Sequence, residues 1–353
     1  MRIQLDQKKS ISNFSEPYII AEIGANHNGD MNLAKKLIDI AKVCGADAVK
    51  FQSWKPDSIE SEVQYVNNQS YNDGDGGKKH FGSLREMVEK YYLRDEQHYE
   101  LSSYCKKIGI TFCSTPFTTR EVDLLVDLNV PFFKIASMDI NNFRLLRYVS
   151  AFNKPIILST GMSTLGEIEA AINVVKNSGN NNIALLHCIS IYPPLYEDIH
   201  LNNITMLQKT FGIPVGFSDH TIGTSIPLAS VALGSCIIEK HFTLDKHLPG
   251  WDHEISADPE ELKIICDDSK KIVSSLGGFS RIVSAAEESK KIKFRRSAVS
   301  KNKMIVGHII SQEDVDFKRP GTGIQPEELN YIIGRKVKNT IEAGELLKWE
   351  DFE

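Results

Sequence analysis

The sequence predicts a (β/α)8 barrel, an α/β fold, followed by a small β-rich domain. Three observations lead to this prediction: a length of 353 residues, eight short apolar runs separated by helix-length segments, and a change of pattern after Gly278. At about 150 residues per domain, this length accommodates one barrel with an appended domain. We therefore expect a barrel over residues 1–278, a charged linker over 279–296 and a second domain over 297–353.

The eight apolar runs are rich in β-branched residues and have the length of strands. They occupy residues 17–24, 48–54, 111–117, 132–137, 155–161, 183–190, 214–219 and 237–242. Short apolar runs that alternate with helical segments are typical of a parallel sheet with crossover helices. Eight such units in roughly 260 residues indicate a (β/α)8 barrel, whose active sites lie at the carboxyl ends of the strands.

Start signals of helices support this count of units. Thr118 with Glu121, and Thr164 with Glu167, have the spacing of a capping box, in which each residue satisfies a free backbone N–H of the other. Asp258 is followed by a proline, which places an N-cap residue before a favourable first helical residue. These signals fall between the predicted strands, where the barrel requires helices.

Three segments depart from the alternating pattern. Residues 61–82 form a long, polar, glycine-rich connection, which we expect to act as a lid over the catalytic face. Residues 279–296 carry charges of both signs and predict a solvated linker. Residues 297–353 contain a short repeat, GHII before EDV and GELL before EDF. The repeat predicts a small pseudo-symmetric β-rich domain with turns at the glycines.

Composition and charge exclude several classes of protein. Lys and Arg number 41 against 46 Asp and Glu, so the net charge of −5 provides no basic field for nucleic acid. No apolar run reaches the roughly 18 residues of a membrane helix, and the first residues do not resemble a signal peptide. The six cysteines are dispersed without a CxxC pair, which argues against a zinc cluster and a disulfide framework. We expect a cytoplasmic protein that binds neither nucleic acid nor membrane.

Alternation along the strands separates residues that face the barrel interior from those that pack on the helices. It predicts Glu22, Lys50, Gln52 and Lys134 inside the barrel, and it leaves Lys240 as a charged exception on an outward face. Polar residues expected at the carboxyl ends of the strands are Glu22, Lys50, Gln52, Ser114, Thr115, Lys134, Ser137, Ser159, His187, Ser190, Ser218, Asp219, His220 and His241. This set predicts an active site for a small, highly charged ligand such as a phosphorylated carboxylate.

The two inward lysines carry the strongest argument for a site. An isolated charge in a barrel interior is costly, so Lys50 and Lys134 must either pair with carboxylates or bind an anion. The candidate carboxylate partners are Glu22, Asp139, Asp219 and Glu239. Both alternatives are compatible with the sequence, and both place the lysines among polar side chains at one end of the barrel.

A pair of histidines indicates a metal site. His220 and His241 end two consecutive predicted strands, which are neighbours in a barrel, so their Cα atoms are expected at about 5 Å from each other. Two imidazoles at that distance can bind one divalent ion and leave its other positions to water and substrate. An oxygen-rich site with few protein ligands favours Mn²⁺ or Mg²⁺ over structural Zn²⁺.

Nine motifs in order connect these residues to a family. They are AEIGANHNGD, VKFQ, STPF, FKIAS, ILSTGM, LLHCISIYP, GFSDHT, IEKHFTLDK and KRPGTGI. Together they resemble the sialic acid synthase family over nearly the whole chain, including a C-terminal segment that resembles its antifreeze-like (SAF) domain. The resemblance implies an enzyme that condenses phosphoenolpyruvate with an N-acetylated mannose-type sugar. The products would be phosphate and a nine-carbon 2-keto-3-deoxy acid.

The resemblance also implies roles for individual residues. Glu22, His220 and His241 would be catalytic, and the two histidines would hold the metal ion. The residues that would bind phosphoenolpyruvate are Lys50, Thr115, Lys134, Ser137, Ser159, Ser190 and Ser218. Those that would contact the sugar are Gln52, Asp139, Tyr192, Asp252 and Arg319. Arg319 would reach the barrel of a second subunit in a domain-swapped homodimer, because the C-terminal domain covers the partner's barrel in this family.

Two departures from the family pattern bear on the sugar. The chain has KIASMD where the sialic acid synthases proper have KIGSGE, so Asp139 replaces a glutamate, and Ser190 stands in place of an asparagine. These differences favour a precursor of legionaminic acid over those of N-acetylneuraminic and pseudaminic acid. Two other classes stay open. One is a Schiff-base aldolase with Lys134 as nucleophile, which leaves the histidine pair unexplained, and the other is a non-catalytic sugar-binding protein.

Overall fold

The computed structural model of the chain describes residues 1–69, 82–278 and 280–353. They form two compact units, Met1–Gly277 and Gly278–Glu353. Most of the segment predicted to be a lid lies outside the described residues, so this prediction stays a prediction. Within the described ranges, no helix combines the length and the apolar character that crossing a bilayer requires.

All eight predicted strands are present in the first unit and form one parallel sheet. The strands of this unit are β1 (Ile3–Gln4), β2 (Ser10–Ile11), β3 (Tyr18–Glu22), β4 (Ala48–Ser53), β5 (Thr111–Pro116), β6 (Phe133–Ile135), β7 (Ile156–Ser159), β8 (Ile183–Cys188), β9 (Val215–Asp219) and β10 (Ile237–His241). The last eight have the order β5-β4-β3-β10-β9-β8-β7-β6, and β5 packs beside β6 to close the ring. The prediction of a (β/α)8 barrel is confirmed.

Helices connect the strands, and several begin at the predicted caps. They are α1 (Met31–Cys44), α2 (Pro56–Ile59), α3 (Glu62–Asn67), α4 (Leu84–Tyr91), α5 (Asp95–Ile108), α6 (Thr119–Asp127), α7 (Phe143–Ser150), α8 (Leu165–Asn177), α9 (Asn202–Phe211), α10 (Ser225–Ala232) and α11 (Pro259–Leu276), with 3₁₀ turns at Ser137–Asp139 and Tyr196–Asp198. The carboxylates of Glu121 and Glu167 accept the backbone N–H groups of Thr118 and Thr164 at 2.7 Å each. The predicted capping boxes therefore form.

The apolar core of the barrel has an outer and an inner layer. The outer layer lies between strands and helices and includes Phe51, Leu158 and Phe217. The inner layer includes Ile3 and Ile11 of the β1–β2 hairpin, which are buried among residues at the amino-terminal ends of the barrel strands. The hairpin thus plugs the end of the barrel opposite to the predicted site. Sequence analysis did not predict it, because two-residue strands are too short to show alternation.

The outward face of the barrel contains one buried ion pair. Lys240, the predicted exception to the apolar outward pattern, has its Nζ 2.7 Å from Oδ2 of Asp219 on the neighbouring strand. Asp219 therefore does not face the barrel interior, and neither Ser114 nor His187 lines the cavity described below. The prediction that these three polar residues face the site is wrong. Each is adjacent in sequence to an inward residue, and strand alternation turns it to the other side.

The second unit is small and built around the predicted repeat. It contains α12 (Ala285–Phe294), β11 (Ser297–Ser300) and β12 (Val315–Lys318), with 3₁₀ turns at Gln312–Asp314, Pro326–Tyr331 and Trp349–Asp351. Met304 pairs with Ile341, its equivalent in the second copy of the repeat, and the equivalent residues Ile310 and Leu347 are both buried in the core. The predicted linker contains α12, none of whose residues is buried.

Candidate active site

A cavity of about 600 Å³ opens at the carboxyl ends of the barrel strands. This is the end at which barrel enzymes place their active sites. Each of the eight barrel strands, or the residues just after it, contributes to the lining. The predicted site residues found there are Glu22, Lys50, Gln52, Thr115, Lys134, Ser137, Ser159, Ser190, Tyr192, Ser218, His220, His241 and Asp252.

Two lysines and two glutamates form a buried charge centre in this cavity. Nζ of Lys50 lies 2.9 Å from Oε2 of Glu22 and 3.6 Å from Oε2 of Glu239. Nζ of Lys134 lies 3.4 Å from Oε1 of Glu239. Glu22 and Lys50 are opposite each other in the register of β3 and β4, so strand pairing alone brings them together. The alternative that the lysines pair with carboxylates is therefore realised, and the pairs still face the cavity.

Glu239 is the central residue that sequence analysis did not assign to the site. It bridges the two lysines, and its Oε1 also accepts a hydrogen bond from the Ser218 hydroxyl at 3.0 Å. Sequence analysis considered it only as a charge partner. The signal was present, because Glu239 precedes His241 by two positions in a strand and must face the same side.

Burial and ion pairing shift the pKa values of these groups in different directions. Burial raises the pKa of Glu22, and the ion pair with Lys50 opposes this shift only in part. Burial acts in the same way on Glu239, but the ammonium groups of Lys134 and Lys50 outweigh it and lower the pKa of Glu239. Burial lowers the pKa of Lys134, whereas Glu22 and Glu239 overcome burial and raise the pKa of Lys50. Glu22 is therefore the more basic of the two carboxylates.

Hydroxyl groups surround a glycine on one side of the cavity. The backbone N–H of Gly161 donates to Oγ of Ser137 at 3.0 Å. A Cβ atom on Gly161 would lie 2.3 Å from Oγ of Ser190 and 2.8 Å from Oγ of Ser137. The hydroxyl of Ser159 is buried without a hydrogen-bond partner among the described residues. Because buried hydroxyls are normally paired, this group is available to a ligand.

The two predicted metal ligands lie side by side. The ring centroids of His220 and His241 are 5.5 Å apart, and the ring of Tyr192 lies at 4.1 Å from that of His220, tilted by 38°. Nδ1 of His220 lies 2.8 Å from the carbonyl oxygen of Ile189. A carbonyl can only accept, so Nδ1 carries a proton. Burial alone would lower the pKa of His220, but its contact with Cys188 outweighs burial and raises it, so Nε2 offers a lone pair to a metal ion once the ring loses its second proton.

The chemistry of this pair fits a divalent cation. Nδ1 of His241 is buried, has no hydrogen-bond partner among the described residues, and lies 3.5 Å from Oδ2 of Asp252. Burial lowers the pKa of His241 well below its usual value, which favours the neutral imidazole that binds metals. In the described part of the chain, no three His, Cys, Asp or Glu side chains are arranged as a metal cluster. The two histidines would therefore leave most coordination positions to water and substrate.

Asp139 does not line the cavity, although it was predicted to face the sugar. It lies at the end of a 3₁₀ turn, where its Oδ1 accepts a hydrogen bond from Nδ2 of Asn142 at 3.0 Å. Met138 lines the cavity in its place, with 61% of its surface exposed. Consecutive side chains in a 3₁₀ turn point in different directions. When Met138 faces the cavity, the side chain of its neighbour Asp139 therefore does not.

Several further lining residues were not predicted. Cys188 ends β8 and contacts the His220 side chain, and apolar side chains complete the wall of the cavity. The apolar members are Phe117, Ala136, Met138, Met162, Pro193, Trp251 and Ile255. Sequence analysis looked for polar residues and had no signal that separates these apolar residues from core residues. Arg319 belongs to the second unit, where it is exposed and its guanidinium lies over the ring of Phe294 at 4.9 Å.

Comparison with known proteins gives a consistent assignment. Residues 37–281 match the NeuB family, and residues 295–353 match the SAF domain. The N,N'-diacetyllegionaminic acid synthase of Campylobacter jejuni is 42% identical over 94% of this chain and 98% of its own length. The enzyme of the same name from Legionella pneumophila is 40% identical over 95% of this chain and 94% of its own length.

A solved structure extends the similarity to the fold. The N-acetylneuraminic acid (sialic acid) synthetase of Leptospira borgpetersenii, in complex with citrate, has a TM-score of 0.73 at 33% identity. The similarity covers 82% of this chain and 95% of that chain. The family match spans most of the barrel, and both relatives align over nearly their full lengths. The chain therefore belongs to the NeuB family and carries a SAF domain after its barrel.

Proposed function

We propose that this protein condenses phosphoenolpyruvate with an N-acetylated mannose-type sugar in its open-chain form and releases phosphate. We further propose that its sugar is the 2,4-diacetamido precursor of legionaminic acid, since the Campylobacter and Legionella relatives are named for that product. One observation supports the reaction above all others. A single cavity contains two buried lysines, the Ser159 hydroxyl without a partner among the described residues, the Ser137 and Ser190 hydroxyls beside Gly161, and two adjacent histidines.

The charge centre suits phosphoenolpyruvate. The ammonium groups of Lys50 and Lys134 are buried, and both lie close to the carboxylate of Glu239. An entering anion would therefore meet positive charges that are already fixed in position. Fixed charges in a partly dry site stabilise an anion more strongly than the same charges do in water. The hydroxyls of Ser137 and Ser159 would donate charge-assisted hydrogen bonds to phosphate or carboxylate oxygens.

The reaction forms a carbon–carbon bond between the substrates and a carbon–oxygen bond from water to C2, and it breaks the bond between C2 and the phosphate ester oxygen. The aldehyde oxygen takes up a proton and becomes a hydroxyl. C3 of phosphoenolpyruvate attacks the aldehyde carbon of the sugar, and positive charge develops at C2. Water adds at C2, with Glu22 as the general base, and collapse of the tetrahedral intermediate releases phosphate. Nε2 of Gln52 donates to Oε1 of Glu22 at 2.8 Å and holds the carboxylate in place. Held by His220 and His241, Mn²⁺ or Mg²⁺ would supply Lewis-acid polarisation of the aldehyde oxygen.

We also propose a domain-swapped homodimer in which Arg319 reaches the sugar bound to the barrel of the other subunit. Arg319 is exposed within its own unit, and the described cavity lining contains no arginine. The guanidinium would donate to the carbonyl oxygen of the N-acetyl group.

A cytoplasmic location is part of the same proposal, supported by six buried cysteines that form no disulfide among the described residues.

An assay of phosphate release tests the proposed reaction directly. Purified protein, phosphoenolpyruvate and Mn²⁺ are combined with single 2-acetamido and 2,4-diacetamido hexoses. We expect phosphate only when sugar is present, with kcat/KM at least about tenfold higher for the 2,4-diacetamido mannose-type sugar. A preference for N-acetylmannosamine or for the pseudaminic acid precursor would refute the proposed sugar and retain the reaction.

Two further measurements separate the competing classes. Borohydride trapping of a pyruvate adduct on Lys134, with activity insensitive to chelator, would establish an aldolase instead. Sugar binding without any phosphate release would indicate a non-catalytic protein.

Glu22→Gln tests the general base. The amide keeps the shape of the side chain but cannot accept a proton from water, so we expect kcat to fall by about 10² to 10⁴ while the protein stays folded. Steady-state kinetics of phosphate release and a thermal unfolding curve measure the two effects. If instead only the KM for phosphoenolpyruvate rises, Glu22 acts by orienting Lys50, and the base must be sought elsewhere.

Gly161→Ala tests whether the hydroxyls of Ser137 and Ser190 hold phosphoenolpyruvate. A Cβ at this position would collide with the Ser137 and Ser190 hydroxyls, so we expect the KM for phosphoenolpyruvate to rise by about tenfold, or about 1.4 kcal/mol. Gly166→Ala is the matched control, because a Cβ there meets no atom within 4 Å. Equal KM values in the two variants would show that the hydroxyls do not hold this substrate.

Arg319→Ala tests the swapped dimer in two steps. Alone, we expect it to raise the KM for the sugar and leave that for phosphoenolpyruvate unchanged. Mixed with Glu22→Gln under conditions of subunit exchange, and assayed at a sugar concentration far below the KM of Arg319→Ala, it should give about a quarter of the wild-type activity, because half of the dimers are mixed and each has one intact site. No recovery in exchanging dimers would mean that Arg319 does not act on the partner's barrel.

A further inference from the structure

A buried ion pair joins the residues next to the two histidines. Asp219 precedes His220 and Lys240 precedes His241, and their charged side chains are 2.7 Å apart with exposures of 0% and 1%. Neither side chain lines the cavity. The pair therefore lies on the opposite side of β9 and β10 from the site and cannot touch the substrates.

The same two side chains also hold the backbone around His220. Oδ1 of Asp219 accepts the backbone N–H of Thr221 at 2.9 Å, and Nζ of Lys240 donates to the carbonyl oxygen of Thr221. The residues before and after His220 are thus bound to each other and to Lys240. His220 has little freedom to shift along or away from its strand.

Strand register extends this restraint to the second histidine. Lys240 and Asp219 are direct partners in the β9–β10 ladder, so the ion pair crosses between the strands one residue before each histidine. Rotation of the His220 ring is limited separately by the bond between Nδ1 and the carbonyl of Ile189. Together these contacts hold the backbones at His220 and His241 at a set separation and restrain the His220 ring.

A contribution to folding stability does not explain why charged residues occupy positions 219 and 240. Other outward residues of the two strands, such as Phe217 and Ile238, are apolar members of the outer core. Well-packed apolar residues are often as stabilising as a buried ion pair, or more so. The ion pair differs from an apolar pair in directionality, because it has defined hydrogen bonds to one backbone segment.

We infer that the Asp219–Lys240 ion pair is a positioning device that presets the distance and orientation of His220 and His241 for one divalent cation. This inference rests on the proposed function, which assigns the cation to the two histidines. Outer residues of this kind orient metal ligands and typically change metal affinity by about 10- to 100-fold when they are removed.

The double variant Asp219→Asn/Lys240→Met tests the inference without catalysis. It removes both charges, leaves no unpaired buried ion, and retains an amide oxygen for the N–H of Thr221. We expect the Kd for Mn²⁺, measured from the electron paramagnetic resonance signal of the free ion, to rise by about tenfold or more. The unfolding temperature of the metal-free protein should change little. A Kd equal to that of the wild type would overturn the inference.

Lys9→Met/Asp47→Asn is the matched control. This ion pair also joins a lysine to an aspartate, with Nζ and Oδ2 2.9 Å apart, although its side chains are 20% and 24% exposed. It lies near the opposite end of the barrel, because Asp47 directly precedes β4. We expect its Mn²⁺ affinity to equal that of the wild type. A comparable loss in this control would show that any weakened barrel loses the ion, which also contradicts a specific positioning role.

Two more variants complete the design. If the double variant lacks a cooperative unfolding transition, Asp219→Asn alone is measured, and a severalfold rise in Kd is expected because Lys240 loses its charged partner. His220→Ala separates the two levels of the proposal. If it binds Mn²⁺ as the wild type does, the assignment of the metal to the histidines fails, and the positioning role fails with it. If it binds weakly while the ion-pair variants bind normally, only the positioning role fails.

Discussion

The site depends on the burial of Lys50 and Lys134 among Glu22 and Glu239. A single unpaired ion in a barrel interior costs several kcal/mol, and here each lysine lies within 4 Å of a carboxylate. The four charges balance, yet the cavity leaves them open to a ligand. The lysines are thus already charged before a ligand enters, and a dianionic substrate can compete with the glutamates for the ammonium groups. The rest of the site is arranged around this centre.

The barrel explains how groups so distant in sequence reach one cavity. Parallel strands end at the same edge, and each end contributes one or two inward side chains. Charges come from β3, β4, β6 and β10, the histidines follow β9 and end β10, and hydroxyls come from the ends of β5 to β9. The hairpin at the opposite end fills the interior with apolar side chains. The apolar residues that stabilise the barrel interior and the polar residues of the site thus lie at opposite ends of the barrel.

The two sides of β9 and β10 show the same division across the sheet. Ser218 and Glu239 face the cavity, and Asp219 and Lys240 form a dry ion pair among the outer core. Sequence analysis treated the outward charge of Lys240 as an irregularity, and strand pairing explains it. A charge on the outward face of one strand is matched by the opposite charge on the outward face of its neighbour, at the same level of the ladder.

Sequence alone determined the eight strands, the helix caps, and the inward position of both lysines and both histidines. These features depend on local periodicity and capping chemistry, which act over a few residues and are visible in one chain. Tertiary structure decided that Glu239 bridges the lysines, that Asp219 pairs with Lys240, and that Asp139 turns away in favour of Met138. It also decided where the short amino-terminal hairpin packs. These outcomes depend on register between distant strands and on the direction of a single tight turn, and neither leaves a periodic trace in the sequence.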